Sequence, residues 1–191
     1  MRSEREKMLA GELYDASDPE LTALRNRARR LTARLNASTA DDGPLRAALL
    51  GELFGGHGEG LWIEPPFYCD YGSNILLGSH VYFNFNCVVL DCAEVRIGDN
   101  VLFGPNVQVY TASHPLDATQ RRQGLEVAVP VRIEDDVWVG GSAVILPGVT
   151  IGAGAVIGAG SVVTKEVPAG VFAAGNPCQV VRGLEGGPNE R

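Results

Sequence analysis

The chain has 191 residues, 45 % of them hydrophobic, with a mean hydropathy near zero, enough to bury the core of one soluble domain with an appendage. Its 23 acidic and 16 basic residues leave a formal net charge of −7, which excludes nucleic acid or an anionic membrane as the main partner, because no broad basic field exists to hold a polyanion. The 24 glycines are scattered rather than gathered into a linker, as expected of a backbone with many tight turns.

Residues 1–10 are charged throughout and lack the apolar core of a signal peptide, and no later stretch is long enough to span a bilayer, so a cytoplasmic location is expected. Asp18-Pro19 then supplies an N-cap with proline at the first helical position, and Leu21, Leu24, Ala28, Leu31 and Leu35 recur at helical spacing. Residues 36–42 break the pattern. A second helix is predicted after Gly43-Pro44, with Leu45, Leu49, Leu50 and Leu53 as its apolar stripe and Gly55-Gly56 as its end. Residues 1–56 thus form a helical N-terminal segment, with Arg25, Arg27, Arg29 and Arg30 on a solvated face.

Further on, aliphatic residues return at every sixth position: Ile133, Val139, Ile145, Ile151, Ile157 and Val163. Ile97, Phe103 and Val109 share one register, and Leu77, Phe83 and Val89 share another that is shifted by two residues, so the array is expected to begin near Leu77. No helix or hairpin has this period. A short strand followed by a sharp turn does, and successive coils then stack their strands in parallel, three faces to a coil, with one side chain per repeat pointing inward. Such a stack needs covers at both ends, for which the helical segment and the stretch after Val163 serve. Between Val109 and Ile133 the aliphatic positions hold Pro115 and Arg121, and residues 111–126 are polar, so a loop within 110–132 is thrown outward. His114 stands at its root. The repeat domain is assigned to 57–185, with a short tail at 186–191.

The four cysteines, Cys69, Cys87, Cys92 and Cys178, have no Cys-x-x-Cys pairing, so neither a zinc knuckle nor a disulfide framework is indicated. Cys87 opens the apolar run Cys87-Val88-Val89-Leu90 and fits a small buried hydrophobe better than an activated thiolate.

Six motifs occur in order: MLAGELY (8–14), IEPPFYCDYG (63–72), FNFN (83–86), SHPLD (113–117), DVWVGG (136–141) and AAGNPCQVVR (173–182). With them the whole chain resembles the maltose and galactoside O-acetyltransferase family and its nodulation-type relatives. The resemblance implies a mainly β protein, a left-handed parallel β-helix with an α-helical N-terminal segment. It also implies a homotrimer in which acetyl-CoA, as cosubstrate, meets a sugar hydroxyl between adjacent subunits, without a metal.

The chemistry needs a base to take the hydroxyl proton while the oxygen attacks the thioester, and histidine suits that task near neutral pH. His57 lies in a Gly-rich connection and His80 in an early turn; the SHP context assigns the base to His114. The resemblance further places Asn84, with Tyr82 beside it, near the acetyl group and acceptor, has Asp70 and Asp91 line the acceptor pocket, and makes Asp15 and Arg25 candidates in the segment that closes over it. For the coenzyme it implies Asn84, Gly141 and Ala159 along the pantetheine arm, Trp138 as a flat wall, and Thr164, Lys165 and Arg182 at the phosphate end, where cations give charge-assisted hydrogen bonds. The chain departs from the galactoside pattern at Asp70, where serine is expected, at Cys92, where a second aspartate is expected, and at Gln179, where arginine is expected. Two other readings fit a hexapeptide prism: a catalytically silent assembly protein, and a metal-dependent hydratase of the carbonic-anhydrase kind, which needs histidines converging from neighbouring coils.

Overall fold

The computed structural model describes residues 2–184; the tail assigned to 186–191 lies outside them. Helix α1 (Glu4–Leu9) starts with a reciprocal capping box between Ser3 and Glu6. Helix α2 (Pro19–Asn36) starts where Asp18 accepts hydrogen bonds from the backbone of Glu20 and Leu21, and it buries Leu21, Ala28, Leu31 and Leu35. Helix α3 (Gly43–Leu53) differs from expectation at one place: Leu45 is exposed, and Arg46 is buried with Leu49, Leu50 and Leu53. These four lie on one stripe at i, i+3, i+4 and i+7. Arg46 is tolerated there because its Nε donates to Ser38 Oγ at 2.9 Å and its guanidinium stands 4.0 Å from Glu64.

Beyond α3 the chain winds as a left-handed parallel β-helix of three faces. Face one stacks Gly56–His57, Ile75–Leu77, Val95–Ile97, Val131–Ile133 and Thr150–Ile151. Face two stacks Trp62–Ile63, Tyr82–Phe83, Leu102–Phe103, Trp138–Val139, Val156–Ile157 and Val171–Ala174, closed by the antiparallel strand Gln179–Gly183. Face three stacks Phe67–Cys69, Cys87–Leu90, Gln108–Tyr110, Val144–Ile145 and Val162–Val163. The array therefore begins one coil before Leu77, since His57, Ile63 and Cys69 pair in register with Leu77, Phe83 and Val89. That coil escapes the aliphatic pattern because a histidine and a cysteine occupy two of its three repeat positions.

The two-residue shift of frame has a structural cause. Leu77 and Ile97, partners in one sheet, are twenty residues apart, whereas Ile133 and Ile151 are eighteen apart. The excess falls at the corner that leaves face three, in residues 70–74 and 91–94. One coil higher the same corner expands into the outward loop. That loop is ordered: Ala112–Ser113 pairs antiparallel with Leu125–Ala128, helix α4 (Ala118–Arg121) forms the tip, and Tyr14–Asp15 adds a third strand from the N-terminal segment.

The interior is filled by the inward residues of all three faces, with aromatic rings concentrated at the N-terminal end. Phe67 meets Phe83 edge-on at 5.5 Å, and Phe83 stacks on Phe103 at 4.3 Å with planes 4° apart. Asn36, in the last turn of α2, clamps the first coil by bonding both the carbonyl and the N–H of Phe67. Truncating Phe83 would open a cavity between two rings, so Phe83→Ala should destabilise the fold by about 3–5 kcal/mol in chemical denaturation; a loss below about 1 kcal/mol would show that the stack does not bear on the core.

Candidate active site

The expanded corner and the loop enclose a cavity of about 370 Å³ whose walls include Arg25, Asp70, Tyr71, Cys92, His114 and Glu126. Its elements come from three parts of the chain: α2 supplies Arg25 and Arg29, the corner supplies Asp70, Tyr71 and Cys92, and the two loop strands lead into His114 and carry Glu126. Behind it lies a small second core of Met8, Tyr14, Leu21, Tyr71, Cys92, Ala93 and Ala128, separate from the prism interior.

His114 follows the strand Ala112–Ser113, and its Nδ1 lies 3.4 Å from the carbonyl oxygen of Leu125. Arg25 donates to the Tyr71 hydroxyl at 2.9 Å and to the Ala16 carbonyl at 2.6 Å, tying α2 to the corner. Burial raises the Asp70 carboxyl above its ordinary value; the Cys92 thiol, which donates to it at 3.4 Å, and the charges of Arg25 and Arg29 act the other way, while Glu126 adds to the rise. Burial likewise pushes the Tyr14, Tyr71 and Cys92 protons to higher pKa, so these groups are hydrogen-bond donors in the neutral range. The Cys87 thiol, raised by burial to about 11, is a poor nucleophile.

Asp91 is fully buried and is not among the cavity's wall residues. Its Oδ1 accepts from the backbone N–H groups of Asp70 (3.1 Å) and Tyr71 (2.8 Å), and its Oδ2 from that of Asn74 (3.2 Å). Thr111 repeats the device one coil higher, donating to the Leu90 carbonyl and accepting from the Ala93 N–H. Buried polar groups thus brace each expanded corner from the coil above. Asp15 also stands outside the cavity wall: its carboxylate accepts from Ser17, while the next residue, Ala16, is in the wall.

The residues expected around the coenzyme are elsewhere on the prism. Asn84, Gly141 and Ala159 lie at the corner between faces two and three, where Gly160 N–H bonds the Gly141 carbonyl. A Cβ on Gly104, on the same corner, would come within 2.5 Å of the Gly141 nitrogen, so the coils there stack too closely for a side chain. Tyr82 and Trp138 are outward residues of face two, on either side of Leu102. Thr164 and Lys165 follow the last strand of face three, and Arg182 lies opposite Phe172 on the closing strand. The structure therefore gathers His114, Asp70 and Arg25 in one cavity, and sets Asn84, Gly141 and Ala159 on a different corner.

Four participants escaped the sequence reading: Arg29, assigned to a solvated face, and Tyr14, Tyr71 and Glu126. The available signal for Tyr71 was its place in the motif at 63–72, next to Asp70; the shift of frame between Val89 and Ile97 marks the bulge one coil higher, at residues 91–94. Nothing local marks Glu126, which reaches the cavity through strand pairing.

The pattern described as the maltose acetyltransferase hexapeptide capping motif matches residues 7–58, and that of the bacterial transferase hexapeptide (six repeats) matches residues 130–165. Nodulation protein L of Rhizobium meliloti (strain 1021) is 52 % identical over 179 residues, covering 94 % of this chain and 98 % of the relative. The crystal structure of a maltose O-acetyltransferase from Clostridium difficile 630 superposes with a TM-score of 0.95 at 45 % identity, covering 97 % of this chain and 99 % of that one. A galactoside acetyltransferase solved in complex with coenzyme A gives a TM-score of 0.94 at 42 % identity, covering 97 % and 92 %. Fold and cavity together define a hexapeptide-repeat acetyltransferase, and the chain belongs to the maltose and galactoside O-acetyltransferase family. Among the described residues no helix is long and apolar enough to cross a membrane.

Burial dominates the Asp91 carboxyl, raising its pKa to about 7, although the Tyr71 and Asn74 N–H groups pull it down; the charge of Asp70 adds to the rise. A folded-state value above the ordinary one, about 4, means the folded protein retains a proton that the unfolded chain releases. Stability therefore falls as pH rises from about 4 through about 7. Asp91→Asn should flatten that fall when denaturation midpoints are compared at about pH 5 and pH 7.5; Asp70, raised in the same direction, keeps part of it. An unchanged slope would count against Asp91 as the titrating group.

Proposed function

We propose that this protein transfers the acetyl group of acetyl-CoA to a hydroxyl of a sugar by direct attack, with His114 as general base. The observation that carries the reading is His114 in the wall of a cavity that also presents carboxylates and guanidinium groups, the side chains suited to a polyhydroxylated acceptor. The Leu125 carbonyl near Nδ1 favours the tautomer protonated there and leaves Nε2 as the base. Nε2 takes the hydroxyl proton as the acceptor oxygen bonds to the thioester carbon; collapse of the tetrahedral intermediate breaks the C–S bond, and the proton passes from the imidazolium to the departing coenzyme A thiolate. The neutral thiols of Cys87 and Cys92 favour this route over an acetyl-cysteine intermediate.

The relative bound to coenzyme A supports the same cosubstrate here. Gly141 and Ala159 give a close-stacked edge for the pantetheine arm, Asn84 and Trp138 flank it, and Thr164, Lys165 and Arg182 take the phosphates. Asn84, Gly141 and Ala159 lie on a different corner of the prism from His114, which supports a trimer whose sites form between subunits. Face two offers a contact surface: Trp62, Tyr82, Leu102 and Trp138 line up outward in register, and all but Tyr82 are exposed. The hydratase reading finds no support in the arrangement, since His57 lies on face one and His80 at the next corner, away from His114.

Thiol release from acetyl-CoA, followed against a panel of mono- and disaccharides, should depend on the sugar and fall about a hundred- to ten-thousand-fold in His114→Ala. Undiminished turnover in the variant would remove His114 from its role, and failure to bind acetyl-CoA at all would favour the silent assembly protein. Co-expressing His114→Ala with Asn84→Ala should restore part of the activity that each lacks alone, because a mixed trimer contains some sites with both native residues. Activity that is never restored would place each whole site within one subunit.

A further inference from the structure

Glu126 is the one carboxylate in the cavity wall that comes from the outward loop. Its position is fixed from two sides. The strand Leu125–Ala128 pairs with Ala112–Ser113, so continuing that register by one residue brings His114 opposite Glu126; on the other edge, Tyr14 pairs directly with Glu126. Residues opposite one another in an antiparallel pair project to the same side of the sheet, which puts Tyr14, Glu126 and His114 in one row. Tyr14 is fully buried, and its hydroxyl donates to Glu126 Oε2 at 2.6 Å. The half-buried Glu126 is thus held by one oxygen, with Oε1 having no hydrogen-bond donor recorded among the described residues. Asp70 faces the same cavity with its Oδ2 held by the Cys92 thiol. In both cases a buried donor takes one oxygen and leaves the second available.

We propose that Glu126 is a specificity-determining residue: with Asp70 it accepts hydrogen bonds from acceptor hydroxyls flanking the one that reacts, and Tyr14 is the positioning residue that aims it. The inference rests on the sugar-acceptor reading above and deepens it. It commits the acceptor to carrying a donor beside the reacting hydroxyl, on the side facing the loop. A carboxylate left without that donor in a desolvated complex is penalised, so an analogue lacking one hydroxyl is rejected more strongly than its lost contact alone would imply.

The test uses the full-length protein, the best sugar from the panel and its monodeoxy analogues. Native protein should reject one monodeoxy analogue far more strongly than the others. Glu126→Gln keeps the shape and an oxygen for Tyr14 but removes the charge. It should raise the KM for the sugar about tenfold, the scale of one hydrogen bond to a charged group, erase most of the discrimination against that analogue, and leave the KM for acetyl-CoA unchanged. Tyr14→Phe should move the same quantities in the same direction by less, and the double variant should be no worse than Glu126→Gln, since Tyr14 acts through Glu126. If sugar turnover is intact and Glu126→Gln leaves both KM and discrimination unchanged, this inference fails and the acetyltransferase reading stands. If the native protein turns over no sugar, the sugar-acceptor reading fails and takes this inference with it. Equal changes in the KM for sugar and for acetyl-CoA would mark Glu126 as merely structural.

Discussion

Everything in this molecule depends on one constraint: a six-residue unit buries only a pair of side chains, as Val137 and Val139 or Val149 and Ile151 do, so each unit is stable only between the units above and below it. The inward residues of the three faces, Ile133, Val139 and Ile145 in one coil and Ile151, Ile157 and Val163 in the next, are all buried and in register. Because the backbone hydrogen bonds also run from coil to coil, a coil cannot shift sideways without losing its bonds and its packing together. The prism is therefore rigid along its length, and variation is confined to corners and ends.

The cavity exploits that freedom at a single corner. Two extra residues leave the interior register of the first coils intact and push Asp70, Tyr71 and Cys92 outward, and a much longer insertion at the same corner of the third coil supplies His114 and Glu126. An expansion of this kind exposes backbone N–H groups that no neighbouring strand can pair. Asp91 and Thr111 answer that need from the coil above, so the pocket inherits the rigidity of the prism although its residues lie outside it. The N-terminal segment completes the enclosure through Tyr14 and Arg25, each of which bonds a cavity residue from a different part of the chain.

The sequence was most readable where the physics is local and periodic. The aliphatic spacing from Ile133 to Val163 marks a hexapeptide array, the Asp18-Pro19 cap marks the start of α2, and Pro115 and Arg121 mark where the array is interrupted. The first coil was hidden because His57 and Cys69 occupy its repeat positions, and Arg46 was hidden because its burial depends on Ser38 and Glu64 across the helix boundary. Within the cavity, His114 and Asp70 were legible through their motifs. Glu126 and Tyr14 were not, because a strand pairing across more than a hundred residues brings them together, and no local pattern encodes such a pairing. Asp91 shows the reverse limit: a family resemblance can mark a residue as part of a site without revealing that its side chain faces the backbone beneath it.

The chemistry of the wall follows from its burial. Tyr14, Tyr71 and Cys92 each sit where burial disfavours the charged form, so they stay neutral: Tyr14 donates to Glu126, Cys92 donates to Asp70 and Tyr71 accepts from Arg25, and none is set up as a base or nucleophile. Asp70 and Cys92, the two corner residues at which the sequence departs from what its resemblance leads one to expect, are in direct contact with each other. The Asp70 carboxyl shares the cavity wall with Glu126, Arg25 and Arg29. Substitution at these wall residues changes what the cavity can hold while the prism stays fixed, because the interior packing does not include them.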